Sequence, residues 1–121
     1  MSIIKDINLA PSGEMKINWV ERNMPVLRGI GRRFSEEKPF KGLKVALSVH
    51  LEAKTAYLCR VMEMGGAEMY VTGSNPLSTQ DDVAAALAAG GMNVFAEYGC
   101  TEQQYEDCLR EVLKIGPNII I

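Results

Sequence analysis

Hydrophobic and polar positions along the chain follow helical spacing first and strand spacing later. Residues 12–34 predict two helices in succession, because Pro25 interrupts the segment and suits the first turn of a second helix. Ser12 and Asn23 are the expected N-caps of the two helices. One face of the second helix is apolar at positions i, i+3 and i+7, namely Leu27, Ile30 and Phe34. We therefore expect residues 1–40 to form a helical segment.

From residue 41 onward, buried-strand patterns alternate with helical ones. Strands are expected in LKVALSVH, AEMYVTG, MNVFAEY and NIII. Helices are expected over residues 52–64, over about 79–89, and after Thr101, which can form a capping box with Gln104. Helical connections make neighbouring strands parallel and their crossovers right-handed. Residues 41–121 thus read as a βαβαβαβ unit.

The predicted fold class is α/β, with a doubly wound, mainly parallel sheet of about four strands preceded by N-terminal helices. Both flavodoxin-like and Rossmann-like sheets fit this pattern, and the flavodoxin-like strand order is our first expectation. The last strand runs to Ile121 without a polar tail. We therefore expect the chain to be a piece of a longer protein.

Composition narrows the classes of function. The 121 residues fit one domain, and a net charge of −2 with scattered basic residues argues against a nucleic-acid surface or a polybasic membrane patch. No apolar run approaches the roughly 20 residues of a membrane span, and the N-terminus lacks a signal-peptide core. Three scattered cysteines fit a reducing cytoplasm, and the single histidine argues against a zinc site.

Two predicted loops leave the carboxyl ends of strands, the edge at which open parallel sheets bind ligands. In the first loop, His50 ends a strand, and Glu52, Lys54 and Thr55 begin a helix. The pattern alone favours structural roles for these residues. Glu52 would face the helix dipole, Lys54 would lie in solvent, and His50 would be half-buried.

The second loop, within VTGSNPLSTQDDVAAALAAGG, is unusually rich in hydrogen-bonding side chains. They are Ser74, Asn75, Ser78, Thr79, Gln80, Asp81 and Asp82. Ser78 or Thr79 is the expected N-cap of the following helix, and the two aspartates would face its positive end. Asn75 and Gln80 remain, and their neutral amides suit a neutral or zwitterionic polar ligand. No glycine-rich phosphate loop follows a strand, so the pattern indicates a small-molecule-binding domain with its site at the strand ends.

Four stretches resemble the N-terminal substrate-binding domain of S-adenosylhomocysteine hydrolases: NWVERNMPVL, VHLEAKTAYL, GAEMYVTGSNPLSTQDDVAAALAAGGMNVFA and GPNIII. The resemblance runs from about residue 12 to the last residue, and SNPLSTQDDVAAAL is highly specific. In the family, DDGGDL follows the strand that matches PNIII, which agrees with the expectation of a longer protein. The resemblance implies a cytoplasmic, homotetrameric enzyme that reversibly splits S-adenosylhomocysteine into adenosine and homocysteine.

The resemblance also implies a cofactor. In the family, bound NAD oxidises the ribose 3′-hydroxyl, which acidifies the 4′-hydrogen. Homocysteine is then eliminated, water adds, and the ketone is reduced again. The NAD-binding domain and the residues around the ribose would lie downstream of Ile121, so we expect the 121-residue chain alone to be inactive.

Several site residues follow from the resemblance. His50 matches a family histidine near the 5′ carbon, a candidate acid and base for elimination and water addition. Thr55 matches a threonine near the purine, and Asn75 an asparagine on the homocysteine side of the cleft. The family motif STQD matches this chain directly, at Ser78, Thr79, Gln80 and Asp81.

The chain departs from the commoner family pattern at four of these positions. Glu52 stands in place of a threonine and Lys54 in place of a purine-facing glutamate, while Ser74 replaces a cysteine and Asp82 a histidine. Together these changes are typical of a branch found in archaea and some thermophilic bacteria. They leave adenine and hypoxanthine open as the purine. A stand-alone nucleoside-binding module and an oligomer-packing domain of the same fold also fit the sequence.

Overall fold

The computed structural model describes residues 2–121, which form helices and strands in the predicted order. After a 3₁₀ turn at Ile7–Leu9, the elements are α1 (Ala10–Asn23), α2 (Pro25–Glu37), β1 (Lys44–Ser48), α3 (Ala53–Met64), β2 (Glu68–Thr72), α4 (Asp81–Ala89), β3 (Asn93–Phe95), α5 (Glu102–Lys114) and β4 (Ile119–Ile120). Within residues 2–121, no helix combines the length and apolar character needed to cross a bilayer.

The four strands form one parallel sheet in the order β3-β2-β1-β4. At its centre, Ala46 of β1 lies between Tyr70 of β2 and Ile120 of β4. This is the Rossmann-type order, so the expected flavodoxin-like order is wrong. The chain moves outward from β1 through β2 and β3, and only then returns to the other side of β1. Helix and strand patterns predict the crossovers but not the direction in which each one moves.

Helices cover both faces of the sheet, which confirms the doubly wound arrangement. On one face, α1 to α4 enclose the larger core, which includes the fully buried Ile17, Leu47 and Val71. On the other face, α5 packs Cys108 and Val112 against the sheet. The apolar face predicted for α2 packs against the larger core through Leu27, Ile30 and Phe34.

The start of α1 differs from the prediction. The helix begins at Ala10, directly after the 3₁₀ turn, and Pro11 lies in its first turn. Ser12 is therefore inside the helix and does not cap it. Its hydroxyl instead donates a hydrogen bond to the Asp82 carboxylate at 2.7 Å, which joins α1 to α4.

The start of α2 is predicted in part. Pro25 is its first residue, as expected, but Asn23 is the last residue of α1 and donates its amide to the Trp19 carbonyl at 2.8 Å. Asn23 is therefore not the N-cap. The capping box of α5 is present, with Thr101 and Gln104 bonded reciprocally. That prediction is confirmed, because both partners lie within one turn.

Helix α1 crosses the first turn of α4 at unusually short range. A Cβ atom built on Gly13 would lie 1.9 Å from the Asp82 carbonyl oxygen and 2.9 Å from the Ala86 Cβ. Only glycine permits this approach. Next to it, Arg60 of α3 forms a two-point ion pair with Glu14, with Nη1 2.9 Å from Oε2. Helix α1 is thus fixed against both α3 and α4.

We predict that Gly13→Ala lowers the free energy of unfolding by about 1–3 kcal/mol, because α1 must move away from α4. Gly29→Ala in α2 is the matched control, since nothing lies within 4 Å of an added Cβ there. It should be neutral or stabilising by up to about 1 kcal/mol. Urea unfolding of both variants measures the difference, and equal effects at the two positions would contradict the assigned contact.

Candidate functional site

Two loops meet at the carboxyl edge of the sheet. One follows β1 and carries His50, and the other follows β2 and spans residues 73–80. The backbone N–H of Ser74 donates to the Val49 carbonyl at 3.3 Å, and that of Gln80 donates to the Leu51 carbonyl at 3.0 Å. These bonds hold the two loops side by side, so the polar residues of both strand ends come together.

His50 is exposed at this edge and is oriented by two serines. Its Nδ1 lies 2.6 Å from the Ser78 hydroxyl and 3.3 Å from the Ser74 hydroxyl. When the Ser78 hydroxyl donates to the Asn75 carbonyl, 3.0 Å away, its lone pair accepts from a protonated Nδ1. In that tautomer of the neutral ring Nε2 carries a lone pair, and Nε2 has no hydrogen-bond partner within residues 2–121. Such an imidazole can take up a proton and return it.

The second loop is organised around Asn75. The Asn75 side-chain oxygen accepts from the Leu77 N–H at 2.8 Å, and the Asn75 carbonyl accepts from the hydroxyls of Ser78 at 3.0 Å and Thr79 at 3.3 Å. Ser78 and Thr79 are therefore not the N-cap of α4. Gln80 occupies that position without a side-chain capping bond. The expectation failed because the nearer Asn75 carbonyl competes for both hydroxyls.

Contacts with buried Thr79 and with α5 also hold this loop in place. Thr79 is buried, and a Cβ on Gly73 would lie 2.6 Å from its hydroxyl oxygen. From α5, the Tyr105 hydroxyl donates to the Ser74 carbonyl at 3.1 Å. The edge thus rests on buried groups as well as on its own hydrogen bonds.

A groove of about 420 Å³ lies between α1 and the start of α3. Its lining comprises Met15, Lys16, Trp19 and Val20 from α1 with Glu52, Ala53 and Lys54 from the α3 side. The Trp19 side chain is 58% exposed here, so a large aromatic surface faces the groove opening. The volume lies in the range of small-molecule sites, about 300–1,000 Å³.

Lys16 connects the groove to the polar edge. Its Nζ lies 2.8 Å from the Asp82 carboxylate and 3.4 Å from the Gln80 side-chain oxygen. Partial burial raises the pKa of Asp82, but its contacts with Lys16, Ser12 and the Val83 N–H outweigh this. The resulting pKa of Asp82 lies below its ordinary value. Asp82 therefore binds α1 in addition to placing a negative charge in the first turn of α4.

The structure brings most of the predicted site residues together. Five lie at the strand edge, namely His50, Asn75, Ser78, Thr79 and Gln80. Glu52 and Lys54 lie in the adjoining groove. Thr55 stands apart: it is half-buried in the first turn of α3, outside the groove lining, and its hydroxyl has no partner within residues 2–121.

Sequence reasoning missed Lys16, Trp19 and Tyr105. Tyr105 lies in the helix predicted after Thr101, and its hydroxyl contact is 31 residues distant in sequence. Lys16 and Trp19 are three residues apart on one face of α1, which was readable from the sequence. Nothing local indicated that this face lies beside α3 and Gln80.

The cysteines do not supply a nucleophile. Burial raises the pKa of Cys59 to about 12 and that of Cys108 to about 11, and it also raises the pKa of Cys100. All three are free thiols that are protonated at neutral pH. The side chains at the polar edge, and not a cysteine thiolate, are therefore the candidate functional groups of this region.

Comparisons with known proteins point to one family. The family model described as S-adenosyl-L-homocysteine hydrolase matches residues 1–121. The adenosylhomocysteinase of Thermococcus kodakarensis is 53% identical over 118 residues, which are 98% of this chain and 28% of that protein. The S-inosyl-L-homocysteine hydrolase of Methanococcus maripaludis is 51% identical over 121 residues, which are 100% of this chain and 29% of that protein.

A second S-inosyl-L-homocysteine hydrolase, that of Methanocaldococcus jannaschii, is 53% identical over 118 residues, 98% of this chain and 28% of that protein. The chain therefore spans less than a third of the length of these relatives. Relatives named for the adenosyl and for the inosyl compound are about equally similar to it. Overall identity thus does not distinguish the two purines.

We predict that acidification below about pH 4 destabilises the chain through Asp82 and Glu14. The hydrogen bonds from Arg60 hold the pKa of Glu14 below its ordinary value, against the effect of partial burial, and the pKa of Asp82 is also lowered. A folded-state pKa below the unfolded one contributes stability above the unfolded pKa. That stability is lost as pH falls through the folded pKa.

Urea unfolding at pH 7 and pH 3.5 measures this loss in wild type and in Asp82→Asn. The variant should be less stable by about 1 kcal/mol at pH 7 and should lose less on acidification. Glu106→Gln, at an exposed ion pair on α5, is the control and should resemble wild type. An Asp82→Asn variant with the full wild-type loss would refute the role of this carboxylate.

Proposed function

Because the chain belongs to the S-adenosyl-L-homocysteine hydrolase family, we propose that it is the N-terminal substrate-binding portion of a longer hydrolase. The substrate is S-adenosylhomocysteine or S-inosylhomocysteine, which is cleaved reversibly to the nucleoside and homocysteine. The observation that carries the proposal is the position of His50, oriented by Ser78 and Ser74 beside a groove of nucleoside size. The hydrolase is cytoplasmic and assembles as a homotetramer.

In this proposal the purine occupies the groove between α1 and α3. The exposed Trp19 offers an aromatic face on which a base can stack. Glu52 and Lys54 at the groove supply one acceptor and one donor for the polar edge of a purine. A combination of apolar walls with few polar groups is typical of sites that bind a nucleobase.

His50 acts as acid and base at the 5′ carbon of the nucleoside. The imidazolium form of His50 gives its Nε2 proton to the leaving homocysteine sulfur, and the neutral ring then takes a proton from the water that adds. The hydrogen bond from Nδ1 to Ser78 keeps Nε2 available for these transfers. Asn75 lies on the homocysteine side, where its exposed amide N–H groups can donate to the homocysteine carboxylate.

The residues described here do not fit the NAD that the family uses. The turn after β1 contains no glycine, and Glu52 is the N-cap of α3. A pyrophosphate at this helix N-terminus would therefore meet a carboxylate instead of free backbone N–H groups. NAD is accordingly assigned to another part of the hydrolase, and residues 2–121 contribute substrate binding and proton transfer.

We predict that His50→Ala in the full-length hydrolase lowers the rate of thioether cleavage by roughly 10²–10⁴-fold, the usual contribution of a general acid or base. Release of homocysteine, followed with a thiol reagent, measures this rate. Exchange of the 4′-hydrogen with solvent deuterium should persist, because its base lies elsewhere. If the exchange slows as much as homocysteine release, His50 does not have the assigned role.

A second prediction concerns the purine and rests on Lys54. Its ammonium can only donate, whereas position 6 is an amino donor in adenine and a carbonyl acceptor in hypoxanthine. Two donors that face each other are both unpaired, at a cost of roughly 1–3 kcal/mol. The wild-type hydrolase should therefore tolerate or prefer S-inosylhomocysteine. Lys54→Glu should shift the ratio of specificity constants towards the adenosyl compound by about 5- to 150-fold.

The matched control is Lys114→Glu, which makes the same charge change on α5, away from the groove. It should leave the ratio of specificity constants unchanged. Recognition of the purine by Glu52 is the alternative to recognition by Lys54, because the Glu52 carboxylate could accept a hydrogen bond from the adenine amino group. A wild type that strongly favours the adenosyl compound, with the same ratio in Lys54→Glu, would show that Lys54 does not read the purine.

A further inference from the structure

Lys16 lies where α1, the groove and the start of α4 meet. Its ammonium contacts the Asp82 carboxylate at 2.8 Å and the Gln80 side-chain oxygen at 3.4 Å, and its stem lines the groove. Asp82 in turn accepts from Ser12 and from the Val83 N–H. Asp82 thus neutralises the charge of the Lys16 ammonium and holds the ammonium in place. Lys16 therefore does not place an unpaired positive charge in the groove.

The backbone of Gln80 is fixed on both sides. Its N–H donates to the Leu51 carbonyl, and its carbonyl accepts from the Ala84 N–H, each at 3.0 Å. Only side-chain rotation therefore decides which end of the Gln80 amide faces the ligand. A primary amide can turn over with little change in shape, since its oxygen and nitrogen differ mainly in hydrogen bonding.

The Lys16 ammonium removes this ambiguity. At 3.4 Å the contact is long for a hydrogen bond, but the positive charge attracts the amide oxygen and repels the amide N–H groups. The Gln80 oxygen therefore faces α1, and its Nε2 is left without a partner within residues 2–121. A ligand at the polar edge then meets two N–H donors and not an acceptor.

Resting on the proposed function, we infer that Lys16 is a positioning residue for substrate binding. It orients the Gln80 amide so that its N–H groups donate to an oxygen of the nucleoside thioether. Lys16 acts through Gln80 and takes no part in bond making or breaking. Its loss should therefore weaken binding and leave the chemical steps unchanged.

A double-mutant cycle in the full-length hydrolase tests this inference. Lys16→Met should raise KM by about 5- to 10-fold, the loss of roughly one hydrogen bond, with kcat changed less than about twofold. In a Gln80→Ala background, the same substitution should change KM less than about twofold. Lys16→Arg keeps the cation and should restore most of the wild-type KM.

A second variant separates binding from folding. Gln80→Glu keeps an oxygen for Lys16 but removes the N–H donors, so KM should rise while the unfolding midpoint does not fall. Lys114→Met, at an exposed contact with Glu111 on α5, is the matched control and should leave KM unchanged.

Two results would overturn the role of Lys16. One is a Lys16→Met variant that lowers the unfolding midpoint but leaves KM unchanged. The other is an equal effect of Lys16→Met with and without the Gln80 amide, which would mean that Lys16 does not act through it. A wild-type protein that cleaves neither thioether would contradict the proposed function, and with it this inference.

Discussion

The close approach of α1 to the first turn of α4 is the constraint on which the candidate site depends. Gly13 permits it, because any side chain there would overlap the Asp82 carbonyl. The approach brings Ser12 and Lys16 to the Asp82 carboxylate, and it turns Met15 and Trp19 towards the start of α3. The helix that precedes the sheet in sequence thus becomes one wall of the groove.

Some hydrogen-bonding groups of the polar loop after β2 hold the loop in place, and others remain available to a ligand. The Asn75 carbonyl accepts hydrogen bonds from the hydroxyls of Ser78 and Thr79, and these bonds fix the loop. Ser78 also orients His50 through its hydrogen bond with Nδ1. Within residues 2–121, the His50 Nε2 and the amide N–H groups of Asn75 and Gln80 have no hydrogen-bond partner and remain available. A helix cap needs far fewer polar groups than this, and the surplus is what a polar ligand can use.

Local patterns in the sequence were sufficient for the elements and for placing two polar loops at one edge of the sheet. The capping box of Thr101 and Gln104 and the position of Pro25 were predicted correctly, because each depends on residues within one helical turn. The loops that carry His50 and the STQD motif meet because strand ends in parallel sheets face one edge. The roles of these residues follow from the family resemblance and stay predictions. These residues are contiguous in the sequence of each loop.

The features that sequence reasoning missed are contacts between distant segments. The N-caps expected at Ser12 and Ser78 failed because better partners, the Asp82 carboxylate and the Asn75 carbonyl, exist in the folded chain. The expected strand order was wrong because the alternation of strands and helices does not determine on which side of the sheet each new strand is added. The contact of Lys16 with Gln80 joins positions 64 residues apart, and no local periodicity encodes it.

The most direct test of the central claim is a crystal structure of the full-length protein with a bound nucleoside thioether. We expect the purine in the groove between Trp19 and the first turn of α3. The 5′ carbon and its sulfur should lie beside the His50 Nε2, about 3–3.5 Å from the reacting atom. A thioether bound elsewhere on the protein, with the groove empty and His50 facing solvent, would contradict the claim that this chain forms the substrate site.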